Sequence, residues 1–317
     1  MKKIACVGIL VADVIVEPVS DFPAPGTLSH VNSISLHNGG NAMTAAINLS
    51  KMGVESRIVG KVGDDFFGEF LKTKLHDAGV NTSALATDKG VQTSASVALI
   101  SDGGERSFLH VVGANATFSY DDINFSAIED CDGVFVTGSF LMNSFDGDDT
   151  VKFLKKCQEL GKTTFLDVCY DASGRWGEVL FPAMPYMDFF MPSIDEAVMI
   201  AGGETDPDKI ADVFFAHGVK NVVIKLGGKG SYIRLAGEEK GTVYPCIKGI
   251  TPVDTTGAGD SFSSGFLAAF ARSMEPHACM KIANAAGGLS VTQKGATTWA
   301  KNFDEVEALA KTGVYGA

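Results

Sequence analysis

Asp254-Thr255-Thr256-Gly257-Ala258-Gly259-Asp260-Ser261-Phe262 is the stretch on which the reading of this 317-residue chain turns. It stands just before an apolar helical run bearing Phe262, Phe266, Leu267 and Phe270. Gly257 and Gly259 let the backbone come close to a ligand. The first N–H groups of a helix have no internal partners and lie at its positive end, which suits a phosphate or a developing anion. A carboxylate at Asp260, in the first helical turn, then stands beside that anion site and within reach of an attacking hydroxyl. A plain capping role for Asp260 would want Ser or Thr three residues earlier, where the chain has Gly257. Taken alone, glycines plus an acid are structural about as often as functional. Two commoner nucleotide motifs are missing. GxGxxG breaks at Phe262, and GxxxxGK[ST] occurs nowhere in the chain.

Outward from this stretch, the chain reads as alternating strands and helices. Strands are expected at Ile4–Leu10, Arg57–Val62, Gly133–Thr137, Thr163–Val168, Asp188–Met191 and Asn221–Leu226. Helices are expected at Ala42–Met52, Phe66–Ala78, Asp148–Leu160, Asp195–Ala201 and Pro207–His217, then Gly259–Arg272 and Pro276–Lys294. Gly230–Leu235 and Thr242–Cys246 read as an antiparallel hairpin. Strand–helix–strand rhythm implies right-handed crossovers and a mainly parallel, doubly wound α/β sheet flanked by helices. Extra β-structure is inserted near residues 11–36 and 91–117, and no linker divides the chain, so 1–317 reads as one domain. Ligands of such sheets bind beyond the carboxyl ends of the strands.

Composition narrows the classes. The net charge of −12 lacks the basic face that nucleic acid requires. No apolar run reaches the roughly 18–20 residues needed to cross a bilayer. Met1-Lys2-Lys3 before Ile4–Leu10 has the look of a weak signal start, but Asp13 and Glu17 interrupt it, and it reads as a first strand. Cys6, Cys131, Cys157, Cys169, Cys246 and Cys279 form no CxxC pair, which implies reduced thiols and a cytoplasmic protein. The histidines form no HxxxH or HxH pair for zinc.

The 254–260 stretch resembles the second signature of the ribokinase-like, or PfkB, carbohydrate kinases. Gly39-Gly40-Asn41-Ala42, followed by Gly60-Lys61-Val62-Gly63-Asp64-Asp65 and Gly68, resembles the first. Order and spacing match that family over nearly the whole chain. The resemblance implies an ATP- and Mg²⁺-dependent phosphotransferase, with Asp260 as the base and the backbone of Gly257, Ala258 and Gly259 stabilising the transferring phosphoryl group. It implies that Glu196, in Pro192-Ser193-Ile194-Asp195-Glu196, supports Mg²⁺ through water, with Ser193 where Asn is usual. By its residue type alone, Glu196 is an ordinary acid early in a helix.

The resemblance further sets Lys225, Gly227 and Gly230 near the ATP phosphates and ribose, and Asn284 and Gly288 beside the adenine. Without it, Lys225 is a solvated strand-end lysine, and Gly287 and Gly288 serve close helix packing. Asp254, Thr256 and Gly295 match a loop pair that holds a monovalent cation, such as K⁺, in many members. Asp13, Gly39, Gly40, Asn41 and Thr44 are expected along the sugar. Arg106, on the inserted β-structure, reads as a solvated edge residue sooner than a site residue. The family also implies a homodimer through the inserted β lid, since a small sheet cannot bury both faces within one subunit.

Two alternatives stay open. A nucleoside kinase would need an aromatic slot, for which Phe108, Phe118 and Phe140 are candidates. A non-catalytic sugar or nucleotide sensor on the same fold is the other. Free ribose is expected to be a poor substrate. Thr44 and Ser139 stand where ribokinase-type members carry Asn and Glu, and each polar group left unpaired costs ~1–3 kcal/mol. Asp167-Val168-Cys169-Tyr170-Asp171 lacks the Asn and Arg of the DxNxR pattern of acidic keto-sugar kinases.

Overall fold

Ile4-Ala5-Cys6-Val7-Gly8 carries no charged side chain and forms strand β1 (Ile4–Gly8), all of it buried. Alternate residues of a strand face opposite sides of a sheet. Ile4 and Cys6 accordingly enter one hydrophobic core, and Ala5 and Val7 the other. The same alternation splits Phe135 from Val134 and Val136, and Val223 from Val222 and Ile224. Continuously apolar strands buried on both faces are what a parallel sheet covered by helices requires.

The computed structural model describes residues 1–19, 21–299 and 302–316. Ser20, inside the expected 11–36 insert, lies outside the described residues, as do residues 300, 301 and 317 of the expected 1–317 domain. After β1 come β2 (Val11–Glu17), β3 (Ser33–Gly39), α1 (Asn41–Lys51), β4 (Ser56–Gly63), α2 (Phe66–Asp77) and β5 (Asn81–Asp88). Then follow β6 (Ala95–Ile100), β7 (Arg106–Val111), α3 (Ala114–Thr117), β8 (Gly133–Ser139), α4 (Asp148–Glu159), β9 (Thr163–Val168) and α5 (Trp176–Leu180). The remainder is β10 (Phe189–Phe190), α6 (Ile194–Ile200), α7 (Pro207–Ala216), β11 (Asn221–Lys225), β12 (Ser231–Arg234), β13 (Thr242–Tyr244), α8 (Ala258–Ala271), α9 (Pro276–Ser290) and α10 (Phe303–Thr312).

Nine strands form the main sheet in the order β13-β12-β11-β10-β9-β8-β1-β4-β5, parallel except at β12 and β13. The chain runs outward from β1 in both directions, so the strand order reverses beside β1. Four strands form a second, smaller sheet in the order β3-β2-β6-β7. Phe108 and Leu109 on its edge strand β7 are both exposed, at 61% and 59%, so neither face of β7 is covered.

Several boundaries differ from expectation. The early insert extends past residue 36, because β3 pairs with β2 as far as Gly39 opposite Val11. Residues 114–117, expected in the lid, make the helical turn α3 instead. Its Asn115 side chain locks to Leu10 through both backbone groups, at 3.2 and 3.0 Å. The last expected helix stops at Ser290 rather than Lys294, with Ser290 and Thr292 hydroxyls turned back onto backbone carbonyls. Strand β5 and helix α10 carry no strong sequence signal and were not expected. The first is a largely polar edge strand, and the second is held by Phe303, Val306 and Leu309 in the core.

Candidate active site

Gly257 caps the start of α8; its φ of 72° is left-handed and its missing Cβ leaves room for Ala296. Only glycine meets both demands at low cost. Ser261 N–H closes the first helical bond on Gly257 O at 2.8 Å, and the N–H groups of the first turn lie at the cleft. Asp260 is the third helical residue. Its Oδ1 accepts Asn41 Nδ2 at 2.8 Å, and Asn41 Oδ1 accepts the Cys169 thiol at 3.2 Å. Burial raises the Asp260 carboxyl above its ordinary value, opposed by the Asn41 amide and by Lys225. A base is most effective when its pKa approaches the working pH, so the shift is in the useful direction.

Gly40 supplies the turn that brings Asn41 to Asp260. Its φ is 88°, and a side chain there would meet the backbone of Ile9 and Leu10. Asp13, on β2 opposite His37, lays its carboxylate over Gly39. Burial pushes the Asp13 carboxyl up to about 6, against a hydrogen bond from Ser96. Thr44 lies deeper than expected. It is 2% exposed in the first turn of α1, behind Gly257, and does not line the cleft.

The cleft around Asp260 has a volume of about 840 Å³ and is walled by Asn41, Asp167, Cys169, Glu196, Lys225 and the 257–260 loop, among others. Lys225 is not a solvated strand-end residue. Its side chain is 13% exposed and pairs with Asp167 at 2.5 Å. Burial works against its charge, but Asp167 and Glu196 outweigh this and hold the ammonium above its usual pKa. Glu196 and Ser193 form a capping box: Ser193 N–H donates to Glu196 Oε2 at 2.7 Å, and Glu196 N–H to Ser193 Oγ at 3.4 Å. Ser193 is therefore part of a helix cap, and Glu196 lines the cleft wall.

A second cavity of about 400 Å³ adjoins the first through Lys225, Gly227, Ala258 and Gly259. Asn284, Gly287, Gly288, Ile247, Ile250 and Phe262 line its apolar end. Asn284 Nδ2 ties Tyr244 O and Pro245 O at 3.3 and 3.2 Å, fixing the segment opposite α9. A flat apolar slot joined to an anion site suits a nucleotide base and its phosphates. Gly230 lines the same cavity, though its φ of 102° and its contact with Tyr244 already demand glycine for the turn.

Arg106 stays exposed on edge strand β7, but its guanidinium is paired: Nη2 donates to Asp254 Oδ1 at 2.9 Å, and Nη1 donates to Thr256 Oγ1. Lys294 meets Glu17 at 3.6 Å, so one ion pair ties the small sheet to the stretch before α8 and a second ties it to the segment after α9. Burial would raise Asp254, but the N–H groups of Thr256 and Gly295, with Arg106, hold its carboxyl down to about 2. Asp254, Thr256 and Gly295 are thus together, with the Asp254 oxygens occupied by these donors. Phe118 and Phe140 are also corrected. Phe118 is buried against Phe145, and Phe140 packs on Trp176, so neither offers an aromatic slot.

Sequence reasoning missed Asp167 and Cys169 as members of the cleft. For Asp167 a signal existed: a charged residue near the end of the buried strand Thr163–Val168 is rare unless paired or functional.

The cleft opens beyond the carboxyl ends of β9, β10 and β11 of a doubly wound α/β sheet, facing the start of α8. Residues 1–302 match the family described as pfkB family carbohydrate kinase, and the chain belongs to that family, whose members are ATP-dependent kinases. The chain is 26% identical to a ribokinase of Bacillus subtilis, over 98% of this chain and 99% of that one. It is also 26% identical to a nucleoside kinase of Methanocaldococcus jannaschii, over 96% of each. The structure of an Arabidopsis thaliana ribokinase complexed with ribose and ATP aligns at a TM-score of 0.85 and 24% identity, over 98% of this chain and 99% of that one. Among the described residues, no helix is long and apolar enough to cross a membrane.

Proposed function

We propose that the chain transfers a phosphoryl group from ATP to a hydroxyl of a small neutral sugar, as one kinase domain with the small sheet as its lid. The observation that carries the reading is the Asn41–Asp260 hydrogen bond of 2.8 Å at the start of α8, beside Gly257 and Gly259. Asp260 takes the proton of the attacking hydroxyl, and Asn41 orients its carboxylate. The N–H groups of the 257–260 turn face the charge that develops on the phosphoryl oxygens. Lys225 adds a positive charge beside Gly259. Asp13, with Gly39 and Asn41, meets the remaining hydroxyls of the acceptor, since a carboxylate accepts from two vicinal O–H groups.

Glu196 fits a magnesium-supporting role. It is a carboxylate in the cleft wall opposite the anion loop, and Mg²⁺ is usually held by one or two carboxylates plus phosphates and water. The ion would neutralise phosphate charge when bound. The Asp254 carboxylate already accepts three donors, so a monovalent cation there would rest mainly on backbone carbonyls.

The nucleoside reading is weaker, because Phe118 and Phe140 are taken up by the core and leave only Phe108 exposed. An ADP-release panel of sugars and nucleosides tests the proposal. A neutral sugar is expected to give the highest kcat/KM, and because Thr44 and Ser139 are buried away from the cleft, ribose stays among the candidates. A nucleoside giving it would overturn the acceptor class, and no turnover with nucleotide bound would favour a sensor.

A further inference from the structure

Asp167 is the penultimate residue of the buried strand β9, with its side chain 2% exposed. Both its oxygens are used. Oδ1 accepts the Val168 N–H at 2.9 Å, and Oδ2 accepts Lys225 Nζ at 2.5 Å and Ser263 Oγ at 3.1 Å. Its partners therefore come from β9, β11 and α8, the three elements that end or begin at the cleft. Lys225 Nζ sits 3.5 Å from where a Cβ on Gly259 would be, so the ammonium lies against the anion loop.

Stability is a poor reason to keep such a pair. Well-packed apolar residues often replace a buried ion pair at no loss, whereas deleting one partner alone is costly. A lysine side chain also has many rotamers, and a fixed carboxylate selects one. Burial, with the Glu196 charge adding to it, raises the Asp167 carboxyl, while Lys225 opposes the rise.

We propose that Asp167 is a positioning residue, which holds the Lys225 ammonium against Gly259 so that it faces the phosphoryl group during transfer. The inference rests on the kinase reading above. Lys225 touches the phosphoryl group; Asp167 acts only through it. Ser263, on the same helix as Asp260, ties the carboxylate to the element that carries the base. The distance between base and ammonium is thereby fixed by one buried carboxylate.

The test compares Asp167→Asn, Lys225→Met and the double variant Asp167→Leu/Lys225→Met. For each, the melting temperature, kcat, acceptor KM, and the Mg²⁺-bound affinities for ADP and the β,γ-imido analogue of ATP are measured. Lys225→Met is expected to lose roughly 10²-fold in kcat and to shrink the preference for triphosphate over diphosphate. Asp167→Asn is expected to shrink the same preference and to lose about 10-fold or more in kcat, with acceptor KM little changed. The double variant is expected to regain the wild-type melting temperature without regaining kcat. Where Asp167→Asn fails to fold, Asp167→Glu, which keeps the charge but displaces it by one methylene, takes its place, and unchanged kcat and nucleotide preference in that variant overturn the proposal equally. A double variant that recovers kcat together with its melting temperature would make the pair structural and overturn the proposal. So would an Asp167→Asn protein with unchanged kcat and nucleotide preference. A wild-type chain that binds neither nucleotide and releases no ADP overturns the kinase reading as well, which separates the two failures.

Discussion

Replacing Asp260 by Asn removes the proton acceptor and almost nothing else. The side chain keeps its volume, and its amide oxygen can still accept Asn41 Nδ2, now 2.8 Å from the carboxylate. The lost negative charge has attraction to Lys225 on one side and repulsion from Glu196 on the other, so the electrostatic effects on folding oppose each other. A positioned base contributes ~10²–10⁴-fold, or about 3–5 kcal/mol at 1.36 kcal/mol per decade. The expected variant therefore binds ATP like the wild type but turns over roughly 10²–10⁴ times more slowly. The assay is ADP release at saturating acceptor, with nucleotide affinity titrated separately. A pH series adds a second reading. Asp260 must be ionised to act, and burial lifts its pKa above 3.8. Wild-type activity should rise with pH through that raised value, and this acid limb should disappear in the variant. Retention of more than about a third of wild-type kcat, or an unchanged acid limb, would refute the assignment of Asp260 as the base.

Glu196→Gln preserves the cap, because a Gln oxygen can still accept the Ser193 N–H, and so its activity loss should be partly rescued by high Mg²⁺; an unchanged Mg²⁺ dependence reduces Glu196 to its capping role. Asp146 is raised from 3.8 to about 6 by burial, with its Met142 N–H bond opposing, so folding takes up a proton between those values and stability falls as pH rises through them. Asp146→Asn should accordingly match the wild type near pH 4 and exceed it by up to roughly 3 kcal/mol at pH 7 in denaturant melts; a gain independent of pH would exclude the linkage. Light scattering should show a homodimer at micromolar concentration that Phe108→Glu, on the uncovered edge strand, converts to monomer; a monomeric wild type counts against lid-mediated pairing.

Most of the sheet was legible because its signals are local. Thr163–Val168 and the flanking strands are short apolar runs between turns, and their periodicity does not depend on distant partners. The start of α8 was legible in part for the same reason: Gly257 takes a left-handed φ of 72° within a local turn. Strand β5 was not, since Asn81–Asp88 is half polar and becomes a strand only by pairing with β4. Phe118 and Phe140 illustrate a different limit. An aromatic residue looks equally available for ligand or core until its neighbours are known, and here Phe145 and Trp176 claim them.

By itself the sequence determined the α/β class, the anion loop, the carboxylate in its first turn and membership of a kinase family, all through residues close together in the chain. Tertiary structure alone decided what surrounds that carboxylate. Asn41 reaches Asp260 across 219 residues, Arg106 reaches Asp254 across 148, and Lys225 finds Asp167 across 58. The first and last pairings lie in the cleft wall, and the second ties the small sheet to the stretch before α8. The reason is physical. Charge and hydrogen-bond strength depend on burial and on the direction of the partner, and both arise only when separate strands end at the same edge of one sheet.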